Sequence, residues 1–367
     1  MKNVTLLLVS LFLITSCKTT QTVITKEKPI VGLRFIGEQT IAANTYVDSL
    51  LLGGLSSIDY ANGHFYAISD DKNNARFYEF DLAYDASAFS KITIEKQVKI
   101  TSPETDYDPE SLRFDPETNH FIWTSEGAIR KGISPALFEI TTTGDFIKQI
   151  PTPKRFQVSK DATKGPRQNG TFEGLSMAKD TKYIWLAMEL PLREDGEEPS
   201  LKAGKYPVRI SKINKETGEV VFQFVYELGA IPKDSKPAGK FRVNGTPEIL
   251  ALGNKQFFII ERAYASGYDD GGNTVKIFKI NAQKASDVKN INSLKTTAYV
   301  PATKELFFDF ESVRSQLTKG IVDNIEGITF GKKLANGHQS LVFVSDDNFK
   351  KFSPQLTQFI VFEVLPF

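Results

Sequence analysis

The chain has 367 residues, 41% of them hydrophobic and 28 of them phenylalanine, enough to bury a substantial core. Forty-five Lys and Arg stand against 44 Asp and Glu, a formal charge of +1 that offers no footprint for a nucleic acid or an anionic membrane surface. The single cysteine excludes an intramolecular disulfide and a zinc–thiolate cluster.

At the N-terminus, Lys2 precedes an apolar segment at 4–14 that is too short to span a bilayer and is followed by Thr15, Ser16 and Cys17. That pattern is an export signal. The run "LITSC" resembles a bacterial lipobox, in which a small residue precedes a cysteine that is lipidated and becomes the mature N-terminus. The expectation is therefore a signal peptide at 1–17, a lipidated Cys17, a solvated tether at 18–28, and an exported lipoprotein anchored at the outer membrane.

From residue 30 onward, short β-branched and aromatic runs separated by Gly, Asn, Asp and Pro turns predict an all-β domain over 29–367. The strands repeat. Five segments share a small or acidic entry, a strand, a turn, and a second strand ending in acid: "GGLSSIDYANGHFYAISDD", "PESLRFDPETNHFIWTSEG", "FEGLSMAKDTKYIWLAMEL", "PEILALGNKQFFIIERA" and "IEGITFGKKLANGHQSLVFVSDDN". Gly54 to Asp70, Glu110 to Glu126 and Glu173 to Glu189 are each separated by 16, whereas Glu248 to Glu261 and Glu326 to Asp346 differ by turn length. Third strands align at "RFYEFDL", "ALFEIT", "RISKIN", "KIFKIN" and "QFIVFE", and outer strands fit "KITIEKQVKI", "DFIKQIP", "VVFQFVYEL" and "KELFFDF". Five such units predict a β-propeller of four-stranded blades. The fifth runs out of chain, and "IVGLRFIGEQTI" is the strand expected to complete it and close the ring. The stretch 282–310 fits either an insertion or part of a sixth blade.

In an antiparallel hairpin the start of one strand lies beside the end of the next. Glu110, Glu173, Glu248 and Glu326 are thus expected to ring one mouth of the central channel, with Asp70, Glu126, Glu189, Glu261 and Asp346 just outside. Two unit charges about 6 Å apart at an effective dielectric of about 20 repel by roughly 3 kcal/mol. Shifted pKa values, nearby Arg or Lys, or a hard cation such as Ca²⁺ can relieve this. The alternating acids Glu104, Asp106, Asp108 and Glu110 favour the cation. Arg76, Arg209 and Lys276 open third strands on the same side and Arg262 follows Glu261. Each is either an ion-pair partner or a holder of an anionic substrate group.

No GxSxG, phosphate loop, HExxH or GxGxxG is present. An S-x-x-K at Ser176 to Lys179 falls on a strand and turn. His64, His120 and His338 follow Asn or Gly at the opposite hairpin turns and read as turn-flanking residues.

The order "GGLSSI…AISDD", "DPES…TSEG", "NGTFEGL…AME", "RISKIN", "PEILAL…IIERAY", "VDNIEGITFG" and "LVFVSDDNF" resembles the phytase-like family, esterase-like activity of phytase, over nearly all of 30–367. The resemblance implies a secreted, calcium-dependent propeller acting on phosphate or other esters, and places Lys304 near the same mouth. The expected activity is a Ca²⁺-dependent phosphoesterase, acting as a monomer on a small-molecule ester, with the membrane met only through the anchor. Ca²⁺ is assigned to Glu110, Glu126, Glu173, Glu189, Glu248, Glu326, Asp346 and Asp70; catalysis is assigned to Glu173, Glu326, Arg209, Arg262 and Lys304. A non-catalytic binding propeller with a structural metal, or a lactonase-like or sugar-processing one, fits the same mouth.

Overall fold

Each of the five hairpins folds as the inner pair of an antiparallel sheet, in a computed structural model that describes residues 30–101, 107–350 and 355–366. After β1 (Ile30–Ile41) and a small hairpin of β2 (Tyr46–Val47) and β3 (Leu50–Leu51), the first blade comprises β4 (Leu55–Ala61), β5 (His64–Ser69), β6 (Arg76–Tyr84) and β7 (Phe89–Lys99). The second comprises β8 (Pro109–Asp115), β9 (His120–Ser125), β10 (Ala136–Thr141) and β11 (Phe146–Ile150). The third comprises β12 (Phe172–Met177), β13 (Tyr183–Met188), β14 (Tyr206–Asn214) and β15 (Val220–Leu228). The fourth has its inner strand in two pieces, β16 (Arg242–Gly245) and β17 (Ile249–Gly253), followed by β18 (Gln256–Ala265), β19 (Asn273–Asn281) and β20 (Thr303–Asp309). The fifth comprises β21 (Asn324–Lys333), β22 (Gln339–Asp346) and β23 (Thr357–Pro366).

The N-terminal strand completes the fifth blade as expected: β1 pairs antiparallel with β23, Phe35 opposite Phe362 and Glu38 opposite Ile360. Joining the first strand to the last gives the outermost strand of that sheet a partner it would otherwise lack and ties the ring shut. The hydrophobic core is the set of layers between blades. Leu55, Phe80, Val344 and Phe359 fill the space between the fifth and first, and Phe77, Phe121 and Trp123 that between the first and second.

The stretch 282–302 is a strap and makes no sixth blade. It leaves β19, crosses to the outer edge of the third blade, and returns to β20. Val288 N donates to Gln223 O at 2.8 Å and Ala302 N to Val225 O at 2.9 Å, so the strap hydrogen-bonds the otherwise open edge of β15. Val288 and Leu294 pack on Val225.

The face opposite the acids shows the repeat again. His64, His120 and His338 approach Glu79, Glu139 and Glu363 at 3.5, 2.7 and 2.6 Å. Those glutamates stand directly opposite Lys96, Lys148 and Arg34 on the fourth strands. The histidines are the turn-flanking residues their sequence positions suggest, each tied to a third strand.

Candidate metal and substrate site at the propeller mouth

The inner strands are bulged at the same place in every blade. Between the mouth pair and the next regular pair, the first strand spends one residue more than the second: Asn324 opposite Asp346 leads to Ile328 opposite Phe343, and Gly245 opposite Arg262 leads to Ile249 opposite Ile259. A bulge re-aims the extra side chain. Here it lets Glu110, Glu173 and Glu326 join the second-strand ends Asp70, Glu126, Glu189 and Asp346.

Deeper in the channel a ring of mostly small residues lines the axis: Ser57, Ser111, Gly174, Glu248 and Gly327. A Cβ at Gly327 would lie 2.8 Å from Ile58 N and 3.0 Å from Ser57 C, so the backbones of the fifth and first blades meet at a distance only glycine allows.

The fourth blade departs from its expected alignment by one residue. The shared "PE" invites matching Glu248 to Glu110, yet the pairing register places Pro247 at the bulge and Glu248 in the axial ring. A shift of one residue turns side chains to the other face. Glu248 therefore leaves the mouth. It is fully buried, with Oε2 accepting from Ser57 Oγ and Ser111 Oγ at 3.0 Å each and from Arg113 at 2.6 Å, and Oε1 accepting from Leu175 N at 2.8 Å and Ile249 N at 3.0 Å. With five donors its oxygens are committed, so its assignment as a metal ligand is withdrawn. Glu261 likewise turns away, to Tyr226 Oη at 2.6 Å, Gly229 N at 3.1 Å and Lys304. Arg262 takes its place at the mouth.

Two more assignments change. Arg209 is buried on the outer side of the third blade, bound to Asp195 at 2.6 and 2.8 Å, to Gln223 Oε1 at 2.6 Å and to the strap carbonyls of Val288 and Ile291. It fastens the strap and cannot reach the channel. Lys304 pairs with Glu261 and sits over Phe278 at 4.1 Å, again away from the mouth. Arg76 is buried against Asp71 at 2.6 Å, and Lys276 pairs with Asp309 at 3.5 Å. Cys17, Glu104 and Asp106 lie outside the described residues.

The remaining acids do converge. Ligand oxygens of Asp108, Glu110 and Glu126 lie within 4.8 Å of one another. Burial, then the charges of Glu173, Asp108, Glu126 and Asp70, push Glu110 well above the ordinary carboxylate range. Burial, then Glu126, Glu189 and Glu326, do the same to Glu173. Burial first, offset by Arg262 and reinforced by Glu126 and Glu326, raises Glu189 to about 8. Asp346 is raised by burial, Asp70 and Glu326. Four blades thus contribute carboxylates to one opening, and the fourth contributes the arginine.

Two cations answer them among the described residues. Lys72, on the turn after β5, pairs with Asp108. Arg262 reaches Glu326 at 2.8 Å and Glu189 at 3.4 Å, both through Nη2, while its buried Nε has no partner. Gly245 faces Arg262 across the strand pair, and a Cβ there would lie 2.1 Å from Glu189 Oε1, so the missing side chain is what lets Glu189 come in. Among the described residues nothing donates a hydrogen bond or pairs as a cation to Glu110 and Glu173, 9% and 8% exposed. Buried carboxylates without donors are costly unless they take up a proton or a cation joins them. Three hard oxygen donors at this spacing fit an ion such as Ca²⁺.

Residues 51–349 match the family described as phytase-like, esterase-like activity of phytase. The chain belongs to the phytase-like family. Within this phytase-like chain, the matched span carries the complete acidic mouth, from Asp70 to Asp346. No curated protein matches the sequence. Among solved structures the chain is similar to a thermostable family-43 glycoside hydrolase, with 10% identity, TM-score 0.46, and coverage of 88% of this chain and 93% of that one. It is also similar to a family-62 α-L-arabinofuranosidase catalytic domain from Coprinopsis cinerea, with 8% identity, TM-score 0.44, and coverage of 91% and 98%.

Sequence reasoning missed Arg113, Lys72 and Asn324. Arg113 lies in an ordinary-looking strand, "ESLRFD", and nothing local marks it as axial. Lys72 follows the acidic pair of "SDDK", a signal that was there to be used. Asn324 Nδ2 donates to Glu326 Oε1 at 2.9 Å and to Asp346 Oδ2 at 3.3 Å, and precedes Glu326 by two residues, the strand spacing that shares a face.

Proposed function

We propose that this phytase-like propeller is an exported, lipid-anchored ester hydrolase, a phosphoesterase dependent on Ca²⁺ held by Asp108, Glu110 and Glu126. It acts as a monomer on a small-molecule ester, with Cys17 as its membrane link. The observation that carries the reading is that Glu110, within a cluster of three carboxylates, and its neighbour Glu173 are buried and accept no donor among the described residues. A bound divalent cation supplies charge stabilisation to an ester oxygen and to the negative charge that develops on it.

The chain's own residues account for the rest. Glu173 shares the mouth with that cluster and with Arg262: burial first, then Glu126, Glu189 and Glu326, raise its pKa, and Arg262 lowers it. Burial holds the Glu173 carboxyl well above the ordinary carboxylate range, and a carboxylate of raised proton affinity is suited to take a proton from an attacking water. Among the described residues Arg262 is paired through Nη2 while its Nε has no partner, which leaves the guanidinium a donor for an anionic group. Glu326 fixes the guanidinium from one side and is itself held by Asn324. Its role is positioning.

The test is hydrolysis of aryl phosphates, phytate and short acyl esters by the purified protein with added Ca²⁺. Turnover that Glu173→Gln abolishes at unchanged melting temperature supports the reading. Loss of turnover and stability together makes the cation structural, and no turnover of any of the three contradicts the proposal.

A further inference from the structure

Among the described residues the fourth blade carries its inner strands furthest above the mouth. β18 has 10 residues where β5, β9 and β13 have 6 each, and its last four, 262–265, pair with β16. At roughly 3.3 Å per residue this ribbon stands about 13 Å tall. Side chains alternate across a strand, so Tyr264 shares the face of Arg262, and its cross-strand partner Val243 shares it too. Phe241, two residues before Val243, continues that face. Its ring lies 5.9 Å from that of Tyr264, and at 67% it is the most exposed large hydrophobic residue described. Asn273 stands opposite Tyr264 on β19, 2% exposed, with an Oδ1 that has no partner.

One face therefore presents, outward from the acids, a guanidinium with unspent donors, a buried acceptor and two aromatic rings. An exposed aromatic pair next to unspent polar groups is the composition of a ligand subsite, with flat surfaces for area and a few polar atoms for orientation. We propose that this ribbon is the substrate-ring subsite: the substrate is an ester whose anionic group meets Arg262 and whose ring packs against Tyr264 and Phe241, two rings inclined at 45° to one another. The inference rests on the hydrolase reading for the role of Arg262 and adds the substrate class. Asn273 Oδ1 accepts a hydroxyl or amine hydrogen from the ring's edge.

The experiment is calorimetric titration of the Ca²⁺-supplemented protein with methylphosphonate, phenylphosphonate and cyclohexylphosphonate, which share a head group and contain no hydrolysable ester. Phe241→Ala is the variant, because a residue this exposed is replaced without loss of folding. A ring is expected to tighten binding fivefold to tenfold over methyl, and Phe241→Ala to erase that gain while leaving methylphosphonate unchanged. A gain for phenyl alone assigns an aryl ring, and an equal gain for cyclohexyl a saturated one. If methylphosphonate binds and a ring adds nothing, or Phe241→Ala leaves the ratio intact, the subsite is overturned and the hydrolase reading stands. If none of the three binds, both fall.

Discussion

Arg113 of the second blade and Glu248 of the fourth meet across the propeller axis at 2.6 Å, both essentially excluded from solvent. The same guanidinium donates to Leu175 O of the third blade at 2.6 Å, to Ile328 O of the fifth at 3.2 Å, and to Ile58 O of the first. One side chain therefore touches every blade. Inner strands in a propeller turn unpaired edges toward the axis, and here Arg113 satisfies three of their carbonyls while Glu248 accepts the donors of Ser57, Ser111, Leu175 and Ile249.

Arg113→Leu should destabilise the protein by about 3–5 kcal/mol, because it leaves the Glu248 charge buried without its partner. Denaturant unfolding of the variant checks this, and the double variant Arg113→Leu, Glu248→Gln should recover part of the loss. Equal stability of Arg113→Leu and wild type would remove the axial pair from the account of the fold.

Metal-free protein should lose stability as pH rises. Glu189 is raised to about 8, chiefly by burial. A carboxyl whose folded pKa lies above its unfolded value favours folding fully below the unfolded pKa, near 4.5, and that contribution is lost as pH climbs through the folded one. Between pH 5 and pH 8 the melting temperature is predicted to fall by roughly 5 °C or more, and Ca²⁺ should restore more of it at pH 8 than at pH 5. A flat profile without metal would count against crowded, protonated carboxyls.

Lys72 pairs with Asp108, and its pKa is raised by Asp108, Glu110 and Glu126 against a lowering by burial. An ammonium and a divalent ion compete for the same carboxylates. Lys72→Met should therefore tighten Ca²⁺ binding by about threefold to tenfold in a calorimetric titration. Weaker binding in the variant would mean that Lys72 helps organise the site instead.

Arg262 and Arg209 should separate cleanly. Arg262→Gln is expected to lower kcat/KM on the order of a hundredfold at assay temperatures where the variant stays folded, the loss of its buried pairs with Glu326 and Glu189 also lowering the melting temperature. Arg209→Gln loosens the strap, lowering stability while leaving kcat near wild type, because Asp195 and Gln223 lose their shared partner far from the mouth. Parallel assays and melting curves on the two variants read the contrast.

The propeller was legible because its signals are local and repeated: hairpin spacing, third-strand alignment, and a leftover strand matching β1 from Ile30 to Ile41. The convergence of Asp70, Glu110, Glu126, Glu173, Glu189, Glu326 and Asp346 followed from the same repetition. Errors arose where a blade breaks the pattern. In the fourth, matching "PE" to "PE" conceals a one-residue difference in register, which sends Glu248 to the axis and Glu261 outward and brings Arg262 in. Arg209 misled because its partners, Asp195 and the strap at 288–291, lie 14 and roughly 80 positions away in the chain. No strand periodicity reveals a connection of that kind.

The central claim is that the crowded carboxylates Asp108, Glu110 and Glu126 at the mouth hold one cation. Calorimetric titration of Ca²⁺ into the protein tests it most directly, with Glu110→Gln and Glu126→Gln beside wild type. The account predicts one ion per chain for wild type and at least tenfold weaker binding in each variant. Absence of binding by wild type, or binding that both substitutions leave unchanged, would contradict it.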